Sequence, residues 1–280
     1  MRGFILRFPN GKPKAMTFSY DDGVIEDLRL MELMKKYGIK GTFNINTFHY
    51  EKGNEPEYRL KKSELKEIAD NPLFEIACHG HTHPYYTFLP QSVVTDDIMT
   101  NRKEIEAITD KIIRGFAYPY GPYNEISEES IKAAGIVYAR TTKSTNDFFL
   151  PENWLQWHPT CHHKNSLELY DKFEAFNRVV SNPVVMYVWG HTYEFDNDNN
   201  WELIEELFKR CHKNPDIWFA TNMEIYNYVK AFKSLVFSAD GKTVHNPSRT
   251  DIFALLDGYW EPDSGTPILV PAGATVKLYD

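Results

Sequence analysis

Along the chain to about residue 230, short apolar runs alternate with stretches in which apolar residues recur every three or four positions. The runs at 14–20, 41–46, 74–78, 115–118, 137–140, 184–189 and 217–220 are rich in β-branched or aromatic residues and lack interior proline, so they predict strands. The stretches at 24–37, 63–70, 93–108, 128–134, 167–180, 201–212 and 223–232 carry the spacing of amphipathic helices. Seven strand-helix alternations predict a parallel sheet, and a count near eight points to a closed barrel.

After residue 232 the period shortens to two and turn signals crowd in. Candidate strands at 234–238, 242–245, 251–256, 267–270 and 275–279 are broken by Ala239-Asp240-Gly241 and Asn246-Pro247-Ser248. The chain therefore divides into a barrel at 1–232 and a β-rich appendage at 233–280. No repeat, low-complexity segment or flexible linker separates them, so the appendage is expected to pack on the barrel. Covering a barrel face or pairing copies into a homo-oligomer is its expected role, with glycan binding as the alternative.

Composition narrows the classes. A chain of 280 residues, 42% hydrophobic and 15% aromatic, can bury a full core. Its formal net charge of −8, with 31 Lys and Arg against 39 Asp and Glu and no basic run, argues against a nucleic-acid partner. Cys78, Cys161 and Cys211 are too widely spaced for a disulfide framework or a Cys-x-x-Cys metal site, which fits a reducing compartment. The run Phe4-Ile5-Leu6 stops at Arg7, far short of a signal-peptide core or a membrane span. A cytoplasmic chain with no membrane partner is expected, although prior removal of an export signal would leave the same pattern.

In a parallel α/β barrel the active site lies at the carboxyl ends of the strands, and four strands here end in unusual chemistry. The first ends TFSYDDG, the third IACHGHTHPYY, the fourth AYPYGPYN and the sixth VMYVWGHTYEFD. Asp21 and Asp22 sit on a turn where Gly23 allows a sharp bend, so one carboxylate can bind a metal while the other acts as a base. The alternative is an Asx-turn that caps the next helix. His79, His81 and His83 fall within five residues. His79 and His83 would meet on one side of a helical turn and chelate zinc with a third ligand, whereas an extended chain would pair His81 with either neighbour. A surface histidine cluster without metal is the plain alternative.

Together these motifs resemble the polysaccharide deacetylase family, carbohydrate esterase family 4, over roughly residues 10 to 225. Ser19-Tyr20-Asp21-Asp22-Gly23 is similar to the family's Thr-Phe-Asp-Asp-Gly. His79-Gly80-His81-Thr82-His83 is similar to His-Ser/Thr-x-x-His, with glycine in the hydroxyl position. Ala117-Tyr118-Pro119-Tyr120 resembles Arg-x-Pro-Phe/Tyr without its arginine, and Trp189-Gly190-His191 resembles Leu-x-His with tryptophan for leucine. The family's fourth motif, a tryptophan segment with an aspartate that tunes the histidine, is not found in its usual form; residues 153–163 occupy that stretch.

The resemblance implies an α/β fold, a distorted, incomplete (β/α)7 barrel carrying the small C-terminal β appendage. It also implies that Asp22, His79 and His83 hold a divalent metal, zinc being expected and cobalt, nickel or manganese the alternatives. Asp21 would be the base and His191 the acid, and a backbone N–H of Tyr120 would stabilise the oxyanion. Tyr118, Pro119, Tyr120 and Trp189 would line the substrate site. The family's arginine orients the catalytic aspartate, and Arg140, ending the next strand, is expected to reach the site in its place; a surface arginine is the alternative. The implied activity is hydrolysis of an N- or O-acetyl group on a carbohydrate. A metal-dependent amidohydrolase acting on a small non-sugar amide, and a catalytically impaired carbohydrate-binding protein, are the rival readings.

Overall fold

A computed structural model describes residues 3–50, 56–176, 183–257 and 266–278. In chain order its elements are β1 (Gly3–Arg7), β2 (Lys14–Asp21), α1 (Asp27–Tyr37), β3 (Gly41–Ile45), α2 (Lys62–Asp70), β4 (Phe74–Cys78), α3 (Gln91–Thr109), β5 (Gly115–Ala117), α4 (Glu125–Ala133), β6 (Tyr138–Arg140), β7 (Cys161–His162), α5 (Ser166–Ala175), β8 (Val184–Gly190), α6 (Tyr193–Asn197), α7 (Trp201–Cys211), β9 (Ile217–Phe219) and α8 (Asn222–Lys233). The tail adds β10 (Val236–Phe237), β11 (Thr243–His245), β12 (Ile252–Asp257), β13 (Ile268–Val270) and β14 (Thr275–Lys277).

All seven predicted barrel strands form. The helix expected from residue 24 begins at Asp27, because Val24 bridges to Arg59 instead. Residues 177–180 of the helix predicted at 167–180, and Tyr279 of the last predicted strand, lie outside the described residues. β1, β7 and α6 are additions; β7 and α6, of two and five residues, are too short to display a period.

The main sheet is parallel throughout, in the order β6-β5-β4-β3-β2-β8-β7, with β9 paired to the amino half of β2. It curls into the incomplete barrel that the resemblance implies, and an irregular segment joins its edges. Trp157 bonds to the β6 edge, donating to Ala139 O and accepting from Thr141 N, and a few residues later β7 pairs with β8.

Alternation along β2 separates two environments. Met16, Phe18 and Tyr20 enter the larger core beneath the outer helices, where Phe18 meets Phe208 edge-on at 5.1 Å. Ala15 belongs to a second core with Tyr138, Trp157, Tyr187 and the α8 residues Ile225, Tyr228 and Val229. Thr17, Ser19 and Asp21 share Ala15's face, so the inner wall ends in a carboxylate.

The tail forms two antiparallel sheets, β1-β12-β13 and β10-β11-β14. The first draws in residues 3–7, which the sequence grouped with the barrel, because β12 pairs with β1 over its whole length. Leu6, Phe8 and Ile252 join the second core, and Tyr228 on α8 donates to Arg7 O at 2.8 Å. The three cysteines are free and buried. No helix among the described residues is long and apolar enough to cross a membrane.

Candidate active and metal site

Asp21 ends β2, and Asp22 turns away from it with a left-handed φ of 83°. Each carboxylate is held from the end of β3 by one of two asparagines that share a strand face. Asn44 Nδ2 donates to Asp21 Oδ1 at 2.8 Å, and Asn46 Nδ2 to Asp22 Oδ1 at 3.2 Å. Arg140 reaches Asp21 from the end of β6. One of its terminal nitrogens donates to both carboxylate oxygens, at 2.6 and 2.5 Å. The arginine is fully buried, with its guanidinium over the Trp189 ring at 4.7 Å, so it is not a surface residue. Burial alone would raise the Asp21 pKa, but Arg140, His79 and His191 outweigh it and hold the group at about 2.

The histidine loop follows β4. His79 Nδ1 lies 2.8 Å from Ala117 O and must donate to it, which leaves the Nε2 lone pair facing the cleft. His79 Nε2 is 3.1 Å from His83 Nε2 and 3.7 Å from Asp22 Oδ1; His83 Nε2 is 3.6 Å from the same oxygen. Donors on tetrahedral directions around zinc, each about 2.0–2.1 Å from it, lie roughly 3.3 Å apart, so this triangle fits such an ion. Burial, and then His79 beside it, depress the His83 pKa and keep that ring neutral, as a ligand must be. The carbonyl behind His79 is the outer partner that metal histidines usually have.

His81 leaves the set. Its Nδ1 lies 2.9 Å from Thr47 Oγ1 and 3.1 Å from Glu104 Oε2. The loop is pinned by two buried polar residues one turn apart on α3. Asp97 accepts from His81 N, from Thr82 N and Oγ1, and from Tyr86 OH at 2.6–2.9 Å, while Asn101 accepts from His79 N at 3.1 Å. Gly80, at φ +76°, leaves no room for a side chain: a Cβ would stand 2.5 Å from Tyr86 OH. That accounts for glycine where the family motif carries a hydroxyl. Of the seven non-glycine residues described with positive φ, Asp22, His83 and Tyr120 cluster here, the concentration of backbone strain expected where function over-determines conformation.

His191, just past β8, has Nδ1 3.2 Å from Glu194 Oε1 and Nε2 4.0 Å from Asp21 Oδ2. Burial works against its charged form, but Glu194 and the two aspartates prevail and raise its pKa. The other Glu194 oxygen lies 3.0 Å from His162 Nε2 and 3.2 Å from His163 Nε2. Thus a carboxylate three residues after the histidine faces its ring.

The expected substrate-lining residues divide. Tyr120 is 49% exposed and meets the His83 ring edge-on at 4.5 Å. Tyr118 is wholly buried and donates to Leu155 O, so the expectation that it lines the substrate site is corrected. Pro119 is also buried, and Trp189 lies under Arg140 as its support. Trp154 and Trp157 pack edge-on in the second core.

Sequence reasoning missed Asn44, Asn46, Asp97, Asn101 and Glu194. The available signals were two asparagines two apart at a strand end, polar residues four apart on the apolar face of α3, and a glutamate one turn after His191.

Residues 9–139 match the polysaccharide deacetylase family, a segment that contains Asp21, Asp22, His79 and His83 and stops short of Arg140 and His191. A poly-β-1,6-N-acetyl-D-glucosamine N-deacetylase of Staphylococcus aureus is 27% identical over 173 residues, covering 54% of this chain and 58% of the relative. The match thus spans little more than half that relative's length. A solved Mycobacterium smegmatis protein described as a polysaccharide deacetylase has a TM-score of 0.60 at 15% identity, over 83% of this chain and 96% of its own. A family 4 pseudoenzyme from Bacillus anthracis has a TM-score of 0.50 at 20% identity, over 80% of this chain and 66% of its own. At such identities these two likenesses speak for the fold alone. Motifs, match and fold point the same way: over residues 9–139, a little under half of its length, the chain is similar to the polysaccharide deacetylase family, carbohydrate esterase family 4.

Proposed function

We propose that the protein is a metal-dependent hydrolase that removes an acetyl group, from nitrogen or oxygen, on a carbohydrate. The observation that carries this reading is the convergence on Asp21, whose carboxylate is held by Arg140 and lies 3.9 Å from His79 and 4.0 Å from His191. A divalent cation held by Asp22, His79 and His83 would supply Lewis acidity toward the acyl oxygen and toward water. Asp21, kept ionised and oriented by Arg140 and Asn44, accepts the proton of the attacking water. As it does so, its pairing with Arg140 weakens, so the ion pair sets how strongly it pulls. The Tyr120 N–H, presented by a left-handed backbone, serves the developing oxyanion. His191, held protonated by Glu194, gives its proton to the departing nitrogen or oxygen. The Staphylococcus relative, named for an N-acetylated glucosamine polymer, supports an N-acetylated glycan as substrate.

The test is acetate release by zinc- or cobalt-loaded protein from N-acetylglucosamine oligomers and acetylated xylan, run beside a panel of small cyclic amides. Glycan hydrolysis that falls by about 10²-fold or more in Asp21→Asn and His79→Ala is expected. Activity that survives in both variants refutes the scheme, and hydrolysis confined to the small amides transfers the site to the amidohydrolase reading.

A further inference from the structure

On the edge of the His191 ring that faces away from Asp21, three histidines converge on one carboxylate. Glu194 Oε1 lies 3.2 Å from His191 Nδ1, and Oε2 lies 3.0 Å from His162 Nε2 and 3.2 Å from His163 Nε2. Only the first of these contacts is aligned as a hydrogen bond. Among the described residues, the buried Oε2 accepts none, and neither ring nitrogen of the fully buried His163 makes one. A buried carboxylate oxygen faced by imidazole nitrogens and bonded by none of them is costly, and a cation among them would satisfy it.

Short, well-anchored pieces of chain set each group. The β7–β8 register places His162 beside Trp189, whose ring meets the imidazole edge-on at 5.0 Å. His163 lies against Gly190, where a Cβ would come 2.0 Å from its Nδ1, and stacks on Phe195 at 4.2 Å. His191 follows β8, and Glu194 stands three residues on, in the first turn of α6. His162, His191 and Glu194 each offer a donor atom, and the three atoms lie within 4.8 Å of one another. Their side chains are 20–22% exposed, so an ion can enter from solvent and keep water on its open side.

We propose that His162, His191 and Glu194 form a second site for a divalent transition ion, zinc above all, separate from Asp22, His79 and His83. Two imidazoles and a carboxylate with room for water make a ligand set that suits zinc and its neighbours. The donors spread wider than the 3.1–3.7 Å triangle of the first site, so drawing them together costs more and the second ion binds more weakly. Lys164 N stands 3.4 Å from His162 Nδ1, beyond the usual hydrogen-bond range, so moving the ring proton to Nδ1 and freeing Nε2 gives up little. With Nδ1 of His191 taken by the ion, no imidazolium can form there, and metal in excess inhibits. That consequence rests on the deacetylase reading above; the site itself does not.

Equilibrium dialysis of the metal-free chain against zinc chloride counts the sites. Wild type is expected to bind one equivalent tightly and a second more weakly. His162→Ala and Glu194→Gln should each weaken the second by at least about 10-fold and spare the first, whereas His83→Ala should do the reverse. Melting temperatures of the metal-free variants establish that they fold. In acetate release, zinc beyond the first equivalent should suppress wild-type turnover over the concentrations at which the second site fills, and His162→Ala should blunt that suppression. Zinc stoichiometry and affinities unmoved by both His162→Ala and Glu194→Gln overturn the site. A second equivalent that fills without slowing acetate release overturns the inhibition. A second equivalent assigned by these variants, in a wild type that releases no acetate at any zinc level, overturns the deacetylase reading and leaves the site standing.

Discussion

Arg140→Ala probes the most buried ion pair of the site. Arg140 is fully buried and Asp21 is 2% exposed, and a single guanidinium nitrogen holds both carboxylate oxygens. Burial pushes the Asp21 pKa up, and Arg140 leads the charges that bring it down to about 2. A unit charge pair at 4 Å and an effective dielectric near 20 is worth about 4 kcal/mol, or about three pKa units. Losing Arg140 should therefore carry Asp21 to roughly 5 and, by stranding a buried charge, cost about 3–5 kcal/mol of stability. Because the folded-state pKa is depressed, the ion pair contributes stability that is present above the ordinary value near 3.8 and is lost as pH falls toward 2. The variant lacks that contribution at neutral pH. The assay is kcat/KM for an acetylated oligomer against pH, with near-UV circular dichroism to establish folding. Wild type should show no loss from Asp21 protonation in the mildly acid range, whereas the variant should lose activity below about pH 5. Its plateau should also fall by about 10²–10⁴-fold, because the base is no longer oriented. Arg140→Lys, which keeps the charge without the planar guanidinium, should retain the low pKa and lose part of the plateau. A folded Arg140→Ala protein with the wild-type pH profile and near wild-type turnover would refute the reasoning.

Three further outcomes follow from the same geometry. Glu194→Gln removes the carboxylate that raises the His191 pKa, so activity, which in the proposed scheme uses this ring protonated, should begin its alkaline decline at lower pH; an unmoved limb in the kcat/KM profile counts against Glu194 as its partner. His83→Ala deletes a proposed ligand and should weaken zinc, measured by chelator competition, by more than the about 10–100-fold typical of outer-partner losses; unchanged metal content would dissolve the proposed Asp22-His79-His83 site. Gly80→Ala sets a Cβ against Tyr86 OH at a left-handed φ and should lower stability by about 1–3 kcal/mol, read in thermal unfolding, and loosen zinc through the displaced histidine loop.

Much of this protein is written locally. The strand and helix periods of the barrel are legible because each strand buries a face and each helix buries a stripe, and those burials leave their spacing in the residues themselves. The Asp21-Asp22 turn and the histidine triplet are legible because one short segment supplies each. What tertiary structure decided concerns groups far apart in the chain. Three histidines competed until Thr47 and Glu104 claimed His81 and Ala117 O fixed the tautomer of His79. β1 has no identity as a strand until β12, some 250 residues later, offers an edge. Tyr118 and Tyr120 sit two apart in one motif, yet one is core and the other open, because backbone strain at Tyr120 breaks the alternation. Arg140 was ambiguous for the same reason: only the curl of the sheet brings the end of β6 to the end of β2, 119 residues away, and pairs two charges that would each be costly to bury alone.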